Sequence, residues 1–439
     1  MNAVTSLPTG LRRILFVSAN YPADFDKAVH GVFLRMRLFV ETLHELAPNL
    51  DVLFFARPDL VNESSRASLE QKLREKWGVN AHVMLAPYGA DAPARDFYNY
   101  YVSPALRHWR DGDYEHLAGA AQCDALRACL KKDTDLVFVH RLPAMSPVLL
   151  HPIHTPTLIF DLDDIEHRKL RRQLALLPAG PHKLLSHLRL PALMWAERLA
   201  IRRAAMTFVC SSNDRDYLRR RFATDTVVEI PNVASFPAQI SPPAQTQTLL
   251  FIGSFTYTAN ANAAEHLIRK IWPHIKAACS TAELIIAGNK PELIPSYLAA
   301  LDGVRFTGFV EDLEPLYAQT RVVCCPILMG GGTRIKIIEA AGYGRAVVST
   351  HVGAEGLEFD PPDEILLEDD PKRFAEHCVR LLNTPDAERV GIKARAKALA
   401  CYDRAAVIQR IRHSVLKAVK ATPVDRSLAN VPTTASHGR

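Results

Sequence analysis

The chain has few of the features that announce secretion, membrane insertion or disulfide stapling. No run approaches about 18 uninterrupted apolar residues, so no spanning helix is expected. The opening MNAVTSLPTGLRR has no apolar core of the kind a signal peptide needs, and a cytoplasmic protein is expected. The eight cysteines (Cys123, Cys129, Cys210, Cys279, Cys324, Cys325, Cys378 and Cys401) include no CxxC pair and no zinc-like spacing. Several sit in apolar runs such as VVCCPIL and read as buried thiols. No repeat of solenoid period is present. Neither half follows its first strand with G-x-G-x-x-G, which disfavours a nicotinamide dehydrogenase. A formal net charge of +6 over 439 residues is too small to argue for nucleic acid.

What is present is a steady alternation. With 48% hydrophobic and 23% charged residues, the chain is too long for one core and should form two or three domains. Apolar runs predict strands at 13–19, 50–56, 81–86, 135–140, 157–162, 206–211 and 226–230, with helices between them. The clearest helix covers 31–47, where Val32, Met36, Phe39, Val40, Leu43 and Leu46 form one stripe. Residues 231–248, PNVASFPAQISPPAQTQT, lack periodicity and read as an interdomain linker. The alternation then restarts, with strands at 249–255, 282–288, 304–309, 321–328, 346–350 and 364–368. Three helices follow, at about 371–383, 386–400 and 403–419. The expected fold is α/β: two Rossmann-like, doubly wound parallel-sheet domains facing a cleft. The domains are placed at 1–240 and 249–400, with a helix at 401–420 returning to the first domain and a disordered tail at 421–439.

The stretch PILMGGGTRIKIIEAAGYG sets Gly330, Gly331 and Gly332 before a helix predicted to start near Thr333. Glycines let backbone N–H groups approach a ligand, and a helix N-terminus favours an anion. Arg334 and Lys336 in a first turn oppose the helix dipole, which suggests an external anion. Lys336 and Glu339 share a face, and a carboxylate can accept two vicinal hydroxyls. A glycine turn kept for packing, with an ordinary Lys336–Glu339 surface pair, is the competing reading.

This stretch, with VVEIPNV, LLFIGSFTYTANANAAEHLIRKIWPHI, LIIAGNKPE and VRFTGFVEDLEPLYAQTRVVCCP, resembles the C-terminal domain of retaining GT-B glycosyltransferases of family 4, the group 1 transferases. The likeness runs from about Val227 to Ala400. The first half resembles the acceptor domain of the same family more loosely, through FVSANYPADFDKAVHGVFLRMRLFVETL, DLVFVHRLPAM and LIFDLDDIEHRKLRR. The resemblance implies a nucleoside-diphosphate sugar bound by the C-terminal domain, an acceptor bound by the N-terminal one, and no metal or other cofactor. It places Glu339 on the nucleotide ribose, as the second glutamate of an E-x7-E pattern whose first position is Gly331 here. An arginine common after the first strand of that domain is replaced, Gly253 being followed by Ser254 and Phe255. Phosphate neutralisation is then expected from Arg334 and Lys336, with Lys290 as a further candidate. Gly31 resembles the glycine turn beside the donor pyrophosphate, and His140 a histidine near the reacting centre.

In DLDDIEH, Asp161 and Asp163 mimic a DxD metal motif, yet the nucleotide signature lies in the other domain. An acceptor-side or loop-structuring role is therefore expected for Asp163, Asp164 and His167, the last with no clear partner in the sequence. Residues 168–221 hold 13 Lys or Arg against Glu197, Asp214 and Asp216. They form either solvated helix faces or a basic surface for anionic lipid or a polyprenyl-diphosphate acceptor. The activity implied is sugar transfer with retention to a glycan or lipid-linked acceptor, as in bacterial surface-polysaccharide or glycolipid synthesis. A nucleotide-sugar isomerase or hydrolase and a non-catalytic scaffold of the same fold are the alternatives.

Overall fold

In the computed structural model, residues 10–22, 25, 31–87, 97–102, 119–151, 153–297, 299 and 301–421 are described. The expected tail beyond residue 421 lies outside them. Two all-parallel sheets are present. The first has seven strands, β1 (Arg13–Ser18), β2 (Asn49–Ala56), β3 (His82–Pro87), β4 (Leu136–His140), β5 (Thr157–Asp163), β6 (Met206–Val209) and β7 (Val227–Glu229), in the order β3-β2-β1-β4-β5-β6-β7. The second has six, β8 (Thr248–Ile252), β9 (Glu283–Ala287), β10 (Val304–Gly308), β11 (Val322–Cys325), β12 (Ala346–Ser349) and β13 (Leu366–Leu367), in the order β10-β9-β8-β11-β12-β13. Each sequence-predicted strand corresponds to one of these. The apolar runs are continuous because central parallel strands are covered on both faces, as at β4 and β5, where every residue is buried.

The first helix (Gly31–His44) packs its Met36, Phe39, Val40 and Leu43 against Phe16, Phe54 and Phe138. The last helix (Arg404–Ala421) follows the second sheet in sequence yet packs with the first. Its Val407, Ile411, Val415 and Ala418 belong to that same core, and Arg404 and Arg412 pair with Glu41 and Glu45. Residues 231–248 are more closely packed than a free linker. Ile230 through Ala234 are buried, Phe236 fills the space a side chain at Gly342 would take, and Ile240 does the same at Gly344.

In the basic stretch, Trp195 and Leu184 are exposed, while Met194 is half-buried against the first domain's core.

Candidate functional site

In the second sheet the strand order reverses between β8 and β11, and ligands of such folds bind where the chain leaves those two strands. Gly253 follows β8. Loop 326–334 follows β11 and leads into the glycine-loop helix (Ile335–Gly342). Gly330 and Gly332 have φ of 122° and 66°, where side-chain-bearing residues are strained. These conformations keep the chain out of the helix until Ile335, two residues later than expected. Arg334 occupies the N-cap position, and Thr333, one residue earlier, accepts a hydrogen bond from Asn232 Nδ2 at 2.9 Å. Glu339 therefore lies about 6 Å along the axis from the helix start, at about 1.5 Å per residue.

Arg334 sits before the first turn, not in it. Its Nη1 donates to the carbonyls of Gly331 and Gly332, the latter at 2.8 Å, so the guanidinium closes its own loop. Lys336 turns toward the end of β8, donating to Asn260 Oδ1 at 2.8 Å and lying 4.5 Å from the centre of the Phe251 ring. Burial lowers this ammonium to about 8, a cation short of solvation and of a counter-charge. Glu339 is not its partner. One Glu339 oxygen accepts from Tyr317 OH at 3.3 Å, and burial raises the carboxyl to about 7. Tyr317 stacks on Tyr343 at 4.3 Å between ring centres, fixing the hydroxyl that meets Glu339.

The glycines flanking this site hold it open. A Cβ at Gly253 would stand 2.8 Å from Lys336 Nζ and 2.9 Å from Asn260 Cγ. At Gly31, where the first helix begins, it would stand 3.3 Å from Ile335 Cδ1, so the first turns of two helices from different domains meet there. Ser254 Oγ pairs with Thr256 Oγ1 at 2.8 Å beside them. Lys290 is exposed and paired with Glu292 at 3.2 Å.

On the first domain's side, His140 is buried at the end of β4, its Nδ1 3.0 Å from Ser18 Oγ and its ring against Phe16, while its Nε2 has no hydrogen-bond partner among the described residues. Burial holds this imidazole well below its usual range, hence neutral. His167 has partners after all: Glu197 at Nδ1 and Tyr217 OH at Nε2, 2.8 Å away, which make it an internal anchor.

Asp161 receives a bidentate contact from buried Arg35, with Nε at 3.0 Å and Nη2 at 2.7 Å. Arg35 Nη1 continues to Ile230 O and to Asn232 Oδ1, at 2.8 and 3.1 Å. Asp163, at φ 59°, is raised to about 7 by burial and by the adjacent Asp164. Asp163, Asp164 and Cys210 lie close enough together to suggest a cation site. Arg35 and Arg141 already face Asp163 at 3.5 and 3.7 Å, however, and Arg141 and Lys169 face Asp164, so these carboxylates are balanced by side chains.

The domains touch directly at the glycine loop. Arg172 donates to Gly330 O at 3.1 Å and pairs with Glu355 at 2.5 Å, and Arg168 bridges Asp214 and Glu355 at 2.8 and 3.1 Å. A small cavity remains between them, lined in part by Arg168, Lys169, Arg172, Gly331, Gly332 and Glu355. Asn260, Tyr317, Asn232 and Glu355 escaped the sequence reading. The one available signal was Asn260, a polar residue set between Ala259 and Ala261, which the helix Thr258–His266 buries.

Residues 246–384 match the family described as Glycosyl transferases group 1. An uncharacterised 44.6 kDa protein of the cps region of Klebsiella pneumoniae is 24% identical over 139 residues. That match covers 30% of this chain, which thus spans about a third (36%) of the curated relative. Among solved structures, a mutant of S. aureus TarM in complex with fondaparinux, alpha-GlcNAc-glycerol and UDP superposes with a TM-score of 0.63 at 9% identity, covering 92% of this chain and 99% of that one. HepE of Anabaena in complex with UDP-glucose gives 0.62 at 14% identity, covering 92% and 99%. The second domain thus carries a group 1 glycosyltransferase signature, and the chain as a whole has the two-domain GT-B fold of glycosyltransferases.

Proposed function

We propose that this protein is a retaining, metal-independent glycosyltransferase of family 4, moving a sugar from a nucleoside-diphosphate donor to a glycan or lipid-linked acceptor. The observation that carries the reading is the placing of Lys336 and Glu339 behind the glycine loop: a half-buried ammonium held by Asn260 and Phe251 at the end of β8, where a diphosphate would lie, and a carboxylate one turn on, placed for a ribose. Departure of the nucleoside diphosphate builds charge on the β-phosphate. Lys336, the start of the Ile335–Gly342 helix and the loop backbone, held in shape by Arg334, would stabilise that charge most in the transition state. Gly31 lets the first domain approach the same diphosphate. UDP and UDP-glucose in the complexes of the structural neighbours support a nucleotide-sugar donor. The cps-region relative supports a place in bacterial surface-glycan synthesis. No helix among the described residues is long and apolar enough to cross a membrane. We place the enzyme in the cytoplasm, with the basic helices around exposed Leu184 and Trp195 meeting the membrane surface that carries a polyprenyl-linked acceptor.

The test is thermal unfolding against UDP, GDP, ADP, CDP and dTDP, on wild type and Glu339→Ala. A ligand at 100 times its Kd stabilises by about 2.7 kcal/mol, a shift of a few degrees. One nucleotide should give that shift and the variant should lose it. The same shift in both proteins removes Glu339 from the site, and no shift with any nucleotide defeats the reading.

A further inference from the structure

We propose that Asp164, reaching across from the first domain, is the carboxylate that holds hydroxyls of the transferred sugar against the glycine loop; this rests on the glycosyltransferase reading above. A side chain built at Gly331 would start 3.3 Å from Asp164 Cγ and 3.4 and 3.5 Å from its two oxygens. One built at Gly332 would collide with Asp164 Oδ1. The space that side chains of the loop would fill is therefore taken by a carboxylate from the other domain. Position 331 is also where the sequence pattern called for a glutamate and the chain has none.

The carboxylate is restrained but unspent. Arg141 Nη2 and Lys169 Nζ stand 3.5 and 3.9 Å from it, ion-pair distances, and among the described residues no hydrogen bond reaches either oxygen. Its side chain keeps 14% of its surface, next to the cavity edged by Lys169, Arg172 and Gly331. A hydroxyl brought there would find a free acceptor whose charge Arg141 and Lys169 already balance. Two oxygens can take two vicinal hydroxyls. With the diphosphate at Lys336, Asp164 thus receives the sugar half of the donor at the domain interface. Because Asp164 and the loop lie on different domains, the sugar contact exists only when the cleft is closed. The residue selects the sugar by its hydroxyl pattern and leaves the nucleotide alone.

The experiment compares binding of UDP and GDP with that of UDP-glucose, UDP-galactose and GDP-mannose by calorimetry, on wild type, Asp164→Ala, Gly331→Glu and the double variant. Asp164→Ala should leave the nucleoside diphosphate within about twofold of wild type and weaken its sugar derivative about 10- to 100-fold, the loss of charge-assisted hydrogen bonds. Gly331→Glu alone should also weaken the sugar nucleotide, since two carboxylates then share one space. Combined with Asp164→Ala it should restore binding, which a merely structural role for Asp164 would not produce. Equal weakening of diphosphate and sugar nucleotide, or no rescue by the glutamate, overturns the assignment while leaving the transferase reading intact. Failure of wild type to bind any of the five overturns both.

Discussion

Asn232 and Thr333, 101 residues apart in sequence, are joined by a buried hydrogen bond of 2.9 Å that ties the segment between the sheets to the last residue of the glycine loop before Arg334 and its helix. The same Asn232 accepts from Arg35, which grips Asp161, so a continuous polar chain runs from the first domain's core to the candidate site. Asn232→Ala should cost about 1–3 kcal/mol, because it leaves buried partners on both sides unsatisfied. Urea unfolding would measure the loss, and Thr333→Ser, which keeps the hydroxyl, should lose much less.

Arg35 is the more sensitive member of that chain. Its side chain and that of Asp161 are both 0% exposed, and removing a partner strands a buried charge. Arg35→Ala should cost about 3–5 kcal/mol. Arg389→Ala, which breaks an exposed pair with Asp386, should stay within about 1 kcal/mol in the same assay.

Gly253→Ala places a methyl 2.8 Å from Lys336 Nζ and 2.9 Å from Asn260 Cγ, so the ammonium must leave its position. The backbone of the strand is untouched. The circular dichroism spectrum should match wild type while nucleoside-diphosphate affinity, followed by calorimetry, falls about tenfold or more.

Lys336 and Glu339 give the ligand-free protein opposite pH dependences. Glu339, raised to about 7 from 4.5, is protonated when folded but ionised when unfolded between those values, so its contribution to stability falls as pH rises through that window. Lys336, lowered to about 8 from 10.5, is neutral when folded but protonated when unfolded between about 8 and 10.5, so its contribution rises with pH there. A bound diphosphate favours the protonated ammonium. Nucleotide binding near pH 8.5 should therefore take up a proton, seen as a buffer-dependent calorimetric enthalpy that Lys336→Met abolishes.

Both sheets were legible in the sequence because their central strands are apolar on two faces, and the glycine loop was legible because three small residues abut a charged helix. Contacts between domains were not. Thr333 has the composition of a helix cap, and only the fold shows that its hydroxyl is already engaged by Asn232. His167 gave no local sign of its partner, although Glu197, alone among the apolar and basic residues of Arg189–Arg203, marks a buried acid that needs one. His140 ends a strand at a sheet's switch point, yet Ser18 and Phe16, distant in sequence, enclose it.

The return of the Arg404–Ala421 helix to the first sheet's core has a mechanical consequence. The polypeptide passes between the two bodies twice, near residues 231–247 and again near 402–404, with an ion pair from Arg404 to Glu41 anchoring the second crossing. Two pivots define an axis, as on a door, where one pivot would leave a swivel. Two crossings restrict how the bodies can shift against one another more than one would, which holds Asp164 to one face of Gly331 and the first turn at Gly31 to one side of Ile335.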